Sequence, residues 1–415
     1  MAHERPASVR PASKRPTILQ IIPELDTGGA ERTTVEVAEA IVKAGGRAIV
    51  LTEGGRMAAD VTRVGGELVV FPAAAKNPLR LWANARAIAG IVSREGVDLV
   101  HARSRAPAWS ALAAARRTGR AFVTTYHGAY SEKLAIKKLY NSVMARGDLV
   151  IANSNYTADL VHGRYGTPRE RLRVIHRGVD AAVFDPAAIG AERTARLRSA
   201  WGIPPGQRIV LHAARLTGWK GQRVVIEAAR LLARDHAPLA RNTAFVLAGD
   251  AQGRDEYRAG LAAAIAEAGL AGTVYLVGHV SDIPAAFATA WIGVVASTEP
   301  EAFGRAATES QVMGCPVIAT DIGAPPETVM TAERAGAGAM TGWLVPPGDP
   351  AALARDIAAG LALDETARGE IGGRARRHVI ERFSLRQMCE RTLSVYDELL
   401  GTSLAPAHST SADAG

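Results

Sequence analysis

The feature that most constrains this chain is a repeated alternation of short, continuously apolar runs with Ala-rich amphipathic stretches. In the first half the runs are TILQIIPEL, RAIVLT, ELVVFP, DLVHARS, AFVTTYHG, DLVIANS and LRVIHRG. Stretches such as AERTTVEVAEAIVKAGG lie between them. A run that is apolar at successive positions, rather than at every second one, suits a strand covered on both faces, and so a parallel sheet with helical crossovers. The pattern restarts in the second half with RIVLHAARL, AFVLAGD, VYLVGHV, IGVVAST, PVIATD and GWLVP. Two such blocks predict an α/β chain of two doubly wound domains, in keeping with 415 residues, too many for one ordinary core. The composition shift at GVDAAVFDPAAIGAER marks the boundary. The expected organisation is a disordered basic arm over 1–15, a first domain over 16–185, a second over 186–380, a C-terminal helix over 381–400 and a disordered tail over 401–415. The helix, FSLRQMCERTLSVYDELL, is free to pack outside the second block or to cross back to the first domain. Open parallel sheets bind ligands at the carboxyl ends of their strands, so two facing sheets would place a site in the cleft between them.

Charge and cysteine content narrow the class. A hydrophobic fraction of 48% with 22% charged residues belongs to a globular chain, and no apolar run approaches the roughly 18 residues that cross a bilayer. The basic, Pro-rich start, MAHERPASVRPASKRPT, has no apolar core of a secretory signal. Cys315 and Cys389 are the only cysteines, which argues against a disulfide scaffold and for a cytoplasmic address. The net charge of +8 is uneven: residues 1–180 hold 27 Lys and Arg against 16 Asp and Glu, the remainder 22 against 25. The excess peaks at 101–150, with nine bases and two acids. Such a field draws anionic partners, a membrane surface, a nucleic acid or a phosphorylated substrate, although an Arg-rich composition also produces it.

Four stretches could carry chemistry. In EPEAFGRAATE, Glu301 stands in a loop after a buried strand and Glu309 on the helix that follows. The backbone N–H groups of Phe303 and Gly304 open that helix, a seat for an anion, and Glu309 could accept bonds from two neighbouring hydroxyls of a ribose. The same acids would also simply suit a helix N-terminus. In HAARLTGWKGQ, Arg215 and Lys220 follow another buried strand. They could neutralise a diphosphate and stabilise it as a leaving group, or be solvated loop cations. In LDTGGAERT, Gly28 and Gly29 follow the first strand and permit close approach of a ligand, or make a tight turn. His127, in TTYHGAY, ends a strand, where it could hydrogen-bond a substrate or serve structure alone. The chain lacks GxxxxGK[ST], a GxSxG elbow, an Asp-x-Asp pair and any zinc-type His/Cys spacing.

Taken together these stretches resemble the retaining glycosyltransferases of family 4, which have the GT-B fold of two Rossmann-like domains facing across a cleft. The match runs from GGAER to GWLVPPGD. Its most specific element is E-x7-E, here Glu301 to Glu309, continued by MGCPVIATDIGAPPE, with HAARLTGWKG, LVGHVSDIP, IANS and HRGVD in support. The resemblance implies that Arg215 and Lys220 bind the donor diphosphate, that Glu309 binds the ribose, and that Glu301 lies beside the transferred sugar. It implies further that Val280 offers its backbone to the base, that Gly28 and Gly29 face the diphosphate and acceptor, and that His127 hydrogen-bonds the donor sugar. The first domain would receive the acceptor and the second the nucleotide-sugar. The chain departs from the family pattern at Ala214, Ala302, Ala324 and Pro325, changes that bear on the donor sugar more than on its phosphates.

The expectation is a metal-independent hexosyltransferase with no cofactor. It would use a nucleotide-diphosphate sugar and extend a glycan or glycolipid of the cell envelope, with a lipopolysaccharide core as the leading target. The segment SEKLAIKKLYNSVMARGD, with Lys133, Lys137 and Lys138 beside Leu134, Ile136 and Leu139, could meet an anionic inner leaflet. A GT-B epimerase or phosphorylase-like enzyme is the alternative within enzymes. A basic nucleic-acid-binding protein is the alternative outside them, without the aromatic-basic interleaving such proteins show.

Overall fold

The computed structural model describes residues 15–26, 28–75, 77–128 and 134–406. The chain forms two compact units: one runs to His176 and takes up the chain again from Arg386, the other holds Arg177–Leu385. The division thus falls ahead of the expected boundary at 185. The segment Val179–Phe184 packs with the second unit because Val179 and Phe184 are buried in its core with Trp201, Ile203 and Phe383.

The first unit is a seven-stranded, all-parallel sheet. Its strands are β1 (Thr17–Ile21), β2 (Arg47–Thr52), β3 (Glu67–Val70), β4 (Leu99–Ala102), β5 (Ala121–Tyr126), β6 (Leu149–Ala152) and β7 (Leu172–Val174), in the order β3-β2-β1-β4-β5-β6-β7. The second unit is a six-stranded parallel sheet of β8 (Arg208–Ala213), β9 (Thr243–Ala248), β10 (Val274–Gly278), β11 (Ile292–Val295), β12 (Val317–Thr320) and β13 (Gly342–Val345), in the order β10-β9-β8-β11-β12-β13. Each of the thirteen apolar runs of the sequence holds one strand, and the central ones are buried at every position. In both sheets the winding reverses once, between β1 and β4 in the first and between β8 and β11 in the second. At such a reversal the two flanking loops diverge, which leaves a crevice at the carboxyl edge.

The helix Leu385–Leu400 belongs, from Arg386 onward, to the first unit. Tyr396 is wholly buried there, its hydroxyl 2.7 Å from Nδ1 of His101 in β4, while Nε2 of His101 lies 2.7 Å from Oγ1 of Thr125 in β5. The chain stays ordered past 400: the Asp397 carboxylate accepts from Leu404 N and Ala405 N, each at 2.7 Å, and Leu404 is buried. The expected disordered tail therefore cannot start at 401. Residues 1–14, 407–415 and Lys133 lie outside the described residues.

Candidate functional site

The reversal of the second sheet brings the loops after β8 and β11 side by side. Lys220 ends a short 3-10 turn, Gly218–Lys220, after β8, and Glu301 lies in the loop after β11. Their side chains, 15% and 11% exposed, meet with Nζ 2.7 Å from Oε1. The buried Ser297 hydroxyl donates to the same oxygen of Glu301. The loops are tied by their backbones as well: Thr298 N donates to Trp219 O at 2.8 Å. On the other side Glu301 pairs with Gly323 after β12, and Ala324 N donates to Glu301 O at 2.9 Å. Glu301 is thus fixed by backbone and side chain together.

Two further residues of the stretch HAARLTGWKGQ, Gly221 and His212, shape this pair. Gly221, next to Lys220, has φ +78°, and a Cβ there would stand 1.8 Å from Ala296 O. Only glycine lets the Lys220 turn pass so close to the end of β11. His212, on β8, is buried and donates from Nδ1 to Val294 O at 2.9 Å. Burial, the main cause, with the nearby Lys220 charge, holds its pKa down at about 4, so the ring is neutral at ordinary pH. Its Nε2 has no hydrogen-bond partner among the described residues. Ser297 lies outside those motifs and His212 opens HAARLTGWKG without a role of its own; the signal of each was a polar residue inside or just after an apolar strand.

The helix Arg305–Val312 starts beyond this loop, with Gly304 as its N-cap at φ +79°. Glu309 lies on it, 13% exposed, and accepts from Arg305 Nη2 at 2.8 Å. The Phe303 side chain is buried and packs edge-on against Phe383 at 6.0 Å between ring centroids. Val280, after β10, is buried in the same core. For both, the backbone is what remains to meet a ligand. Arg215, after β8, is exposed, and its guanidinium has no ion pair among the described residues; its carbonyl accepts from Gln222 Nε2 at 2.9 Å. The second unit therefore assembles a cation–carboxylate pair, an open arginine and a helix N-terminus with an acid one turn in, all along the carboxyl edge near the sheet's reversal. Such a set can hold a diphosphate through Lys220 and Arg215 and a diol through Glu309.

The other expected residues lie in the first unit, also at a carboxyl edge. Gly28 is the extended N-cap of the helix Gly29–Lys43, and a Cβ on it would stand 1.9 Å from the Glu31 carboxylate, which folds back over the helix start. His127 directly follows β5. Arg103, directly after β4 and unremarked in the sequence, is fully buried with Nε 3.3 Å from Thr34 Oγ1.

Comparison with known proteins bears on the family and the fold. The family model described as Glycosyltransferase Family 4 matches residues 27–183, and the one described as Glycosyl transferases group 1 matches 194–378. The crystal structure of a glycosyltransferase from Rickettsia africae superposes with a TM-score of 0.84 at 34% identity, over 94% of this chain and 100% of that one. The Anabaena protein Alr3699/HepE, solved in complex with UDP-glucose, superposes with a TM-score of 0.77 at 25% identity, over 92% and 100%. A D-inositol 3-phosphate glycosyltransferase of Acidothermus cellulolyticus is 30% identical over 260 residues, 62% of this chain and 55% of the relative. The chain thus spans about half the length of the curated relatives it matches. With two family models laid end to end over its two parallel sheets, the chain belongs to glycosyltransferase family 4 and has the GT-B fold.

Proposed function

We propose that this glycosyltransferase moves a hexose from a nucleotide-diphosphate sugar to a glycan or glycolipid acceptor of the cell envelope, with retention of anomeric configuration and without a metal. The observation that carries the donor reading is the Lys220–Glu301 pair at the reversal of the second sheet, with Arg215 and Glu309 on the same edge. UDP-glucose in the Anabaena structure, a protein 25% identical to this chain, makes UDP the first nucleotide to try. In this reading Lys220 and Arg215 neutralise the charge that grows on the diphosphate as the glycosidic bond breaks, and Glu309 accepts from the ribose hydroxyls. The leaving phosphate takes the acceptor's proton on the same face, while Glu301 lies beside the transferred sugar.

A thermal-shift screen across UDP-, GDP- and ADP-sugars tests the donor, since a ligand of the folded state raises the melting temperature. The matching donor is expected to lose its shift in Glu309→Ala; a shift that survives would reject the ribose role. Product NMR tests retention, and an inverted anomer would reject it. Turnover that persists in EDTA is expected if no metal takes part.

Two acceptor classes compete. A lipopolysaccharide core rests on the resemblance of the motifs to envelope-building family members. The curated relatives are named for D-inositol 3-phosphate, which favours a phosphorylated polyol as the second class. Transfer assayed side by side on D-inositol 3-phosphate and on a deacylated core oligosaccharide separates them. In either case we propose a cytoplasmic enzyme that can meet the inner face of the membrane.

A further inference from the structure

Three helices of the first unit hold no acid at all. Pro78–Arg94 contains Arg80, Arg86 and Arg94; Arg105–Thr118 contains Arg105, Arg116 and Arg117; Ala135–Asn141 contains Lys137 and Lys138. They belong to the β3–β4, β4–β5 and β5–β6 crossovers, which all advance in one direction along the sheet. Right-handed crossovers of one direction cover one face, so these helices form one layer. Two successive residues of the middle helix hold its neighbours: Trp109 Nε1 donates to Tyr140 O at 3.1 Å, and Ser110 Oγ donates to Leu81 O at 2.9 Å. The turns around Leu81 and around Tyr140 therefore flank the same point.

Those two turns carry apolar side chains that the fold leaves outside. Leu79 is 79% exposed and Trp82 61%; Leu134, Ile136 and Leu139 are 58%, 73% and 58% exposed. Five of the eight large apolar side chains found exposed among the described residues fall here. Single exposed apolar residues are ordinary, but such a concentration marks a contact surface. Basic groups stand among them. The Arg86 guanidinium lies 4.0 Å over the Trp82 ring, and a surface cavity of about 420 Å3 is lined by Lys138, Arg146 and Arg164 with Leu139 and Tyr165. Arg80, Arg86, Lys137 and Lys138 have no ion pair among the described residues.

We propose that this face rests on an anionic phospholipid bilayer, with Leu79, Trp82, Ile136 and Leu139 in the headgroup layer and Arg80, Arg86, Lys137 and Lys138 on lipid phosphates. Charge decides the occupant: apolar groups ringed by unpaired cations, without one acid on three helices, complement a negatively charged interface. A tryptophan beneath a guanidinium suits the boundary of such an interface, where the ring is apolar and its rim polar. No helix among the described residues is long and apolar enough to cross a membrane, so the contact is peripheral. The inference deepens the membrane location proposed above and is independent of the donor.

The test uses the full chain with vesicles of phosphatidylcholine alone and of phosphatidylcholine with phosphatidylglycerol. Flotation is expected with the anionic vesicles only, with a blue shift of tryptophan emission that Trp82→Phe removes. Lys137→Glu with Lys138→Glu, and separately Ile136→Ser with Leu139→Ser, should each lower partitioning by at least about tenfold. Both pairs are exposed and should leave UDP affinity unchanged on the same samples. Flotation with neither vesicle, or equally with both, overturns the proposal. So does sedimentation showing that a second copy of the chain covers Trp82. A chain that binds UDP yet ignores anionic vesicles refutes the surface and leaves the transferase reading standing; a chain that floats but binds no nucleotide does the reverse.

Discussion

Glu301→Gln is expected to tighten the binding of UDP. In the free protein Lys220 Nζ lies 2.7 Å from Glu301 Oε1, so a diphosphate must compete with that carboxylate for its cation. The two side chains are only 15% and 11% exposed, so the pair is worth more than the fraction of a kcal/mol of a surface pair and less than a fully buried one, about 1–2 kcal/mol. Gln keeps an oxygen for Ser297 and Lys220 but gives up the charge. UDP affinity should therefore rise by roughly 5- to 30-fold. UDP carries no sugar, so any contact of Glu301 with the hexose is out of the comparison. Lys220→Met should act in the opposite sense, losing a charge-assisted bond of about 1.5–3 kcal/mol and weakening UDP by roughly 10- to 150-fold. Isothermal titration calorimetry on both variants reads the effect, and added salt should shrink it. If neither variant moves the affinity, the pair does not meet the diphosphate. If Glu301→Gln weakens UDP by tenfold or more, the carboxylate binds the nucleotide itself. Either result refutes the reasoning.

Further expectations follow from the same contacts. Gly221→Ala, whose Cβ would collide with Ala296 O, should displace Lys220 and lower UDP affinity by on the order of tenfold or more, with an unchanged circular dichroism spectrum. His212 is held neutral in the fold, so it binds fewer protons than the unfolded chain between about pH 6.5 and about 4. Stability from this residue is complete above that window and falls as pH drops through it, by roughly 3 kcal/mol in all, and His212→Gln should flatten melting curves taken across it. His101, pushed well below the ordinary histidine range by burial and by Arg103, acts in the same direction. Tyr396→Phe strips His101 of a partner in a closed interior and should cost about 1–3 kcal/mol in urea unfolding of the first unit, without changing UDP affinity.

The elements were legible because their signal is local. A continuous apolar run closed by Gly or Pro names a doubly covered strand wherever it falls, and so IGVVAST and RIVLHAARL read as strands without knowledge of their neighbours. The division by packing falls ahead of the boundary near 185 because a composition shift does not reveal that Val179 and Phe184 are buried in the second core. The tail was misjudged from its polar composition, since Leu404 is held by Asp397 through backbone hydrogen bonds that no residue type announces. Glu309, Lys220, Arg215 and Gly221 stand in motifs that consecutive residues display, while the parts played by Ser297 and His212 do not show there, because each acts through a neighbour on a different segment.

The sequence by itself determined the two parallel sheets, their strands and the residue types available for an anion and a diol, because burial on both faces and helix starts are written in consecutive residues. The tertiary structure alone decided which of those residues meet. Lys220 and Glu301 lie 81 positions apart, and they touch only because the second sheet reverses between β8 and β11. Strand order is set by how crossovers pack across a whole sheet, a sum over distant contacts that no stretch of the chain contains.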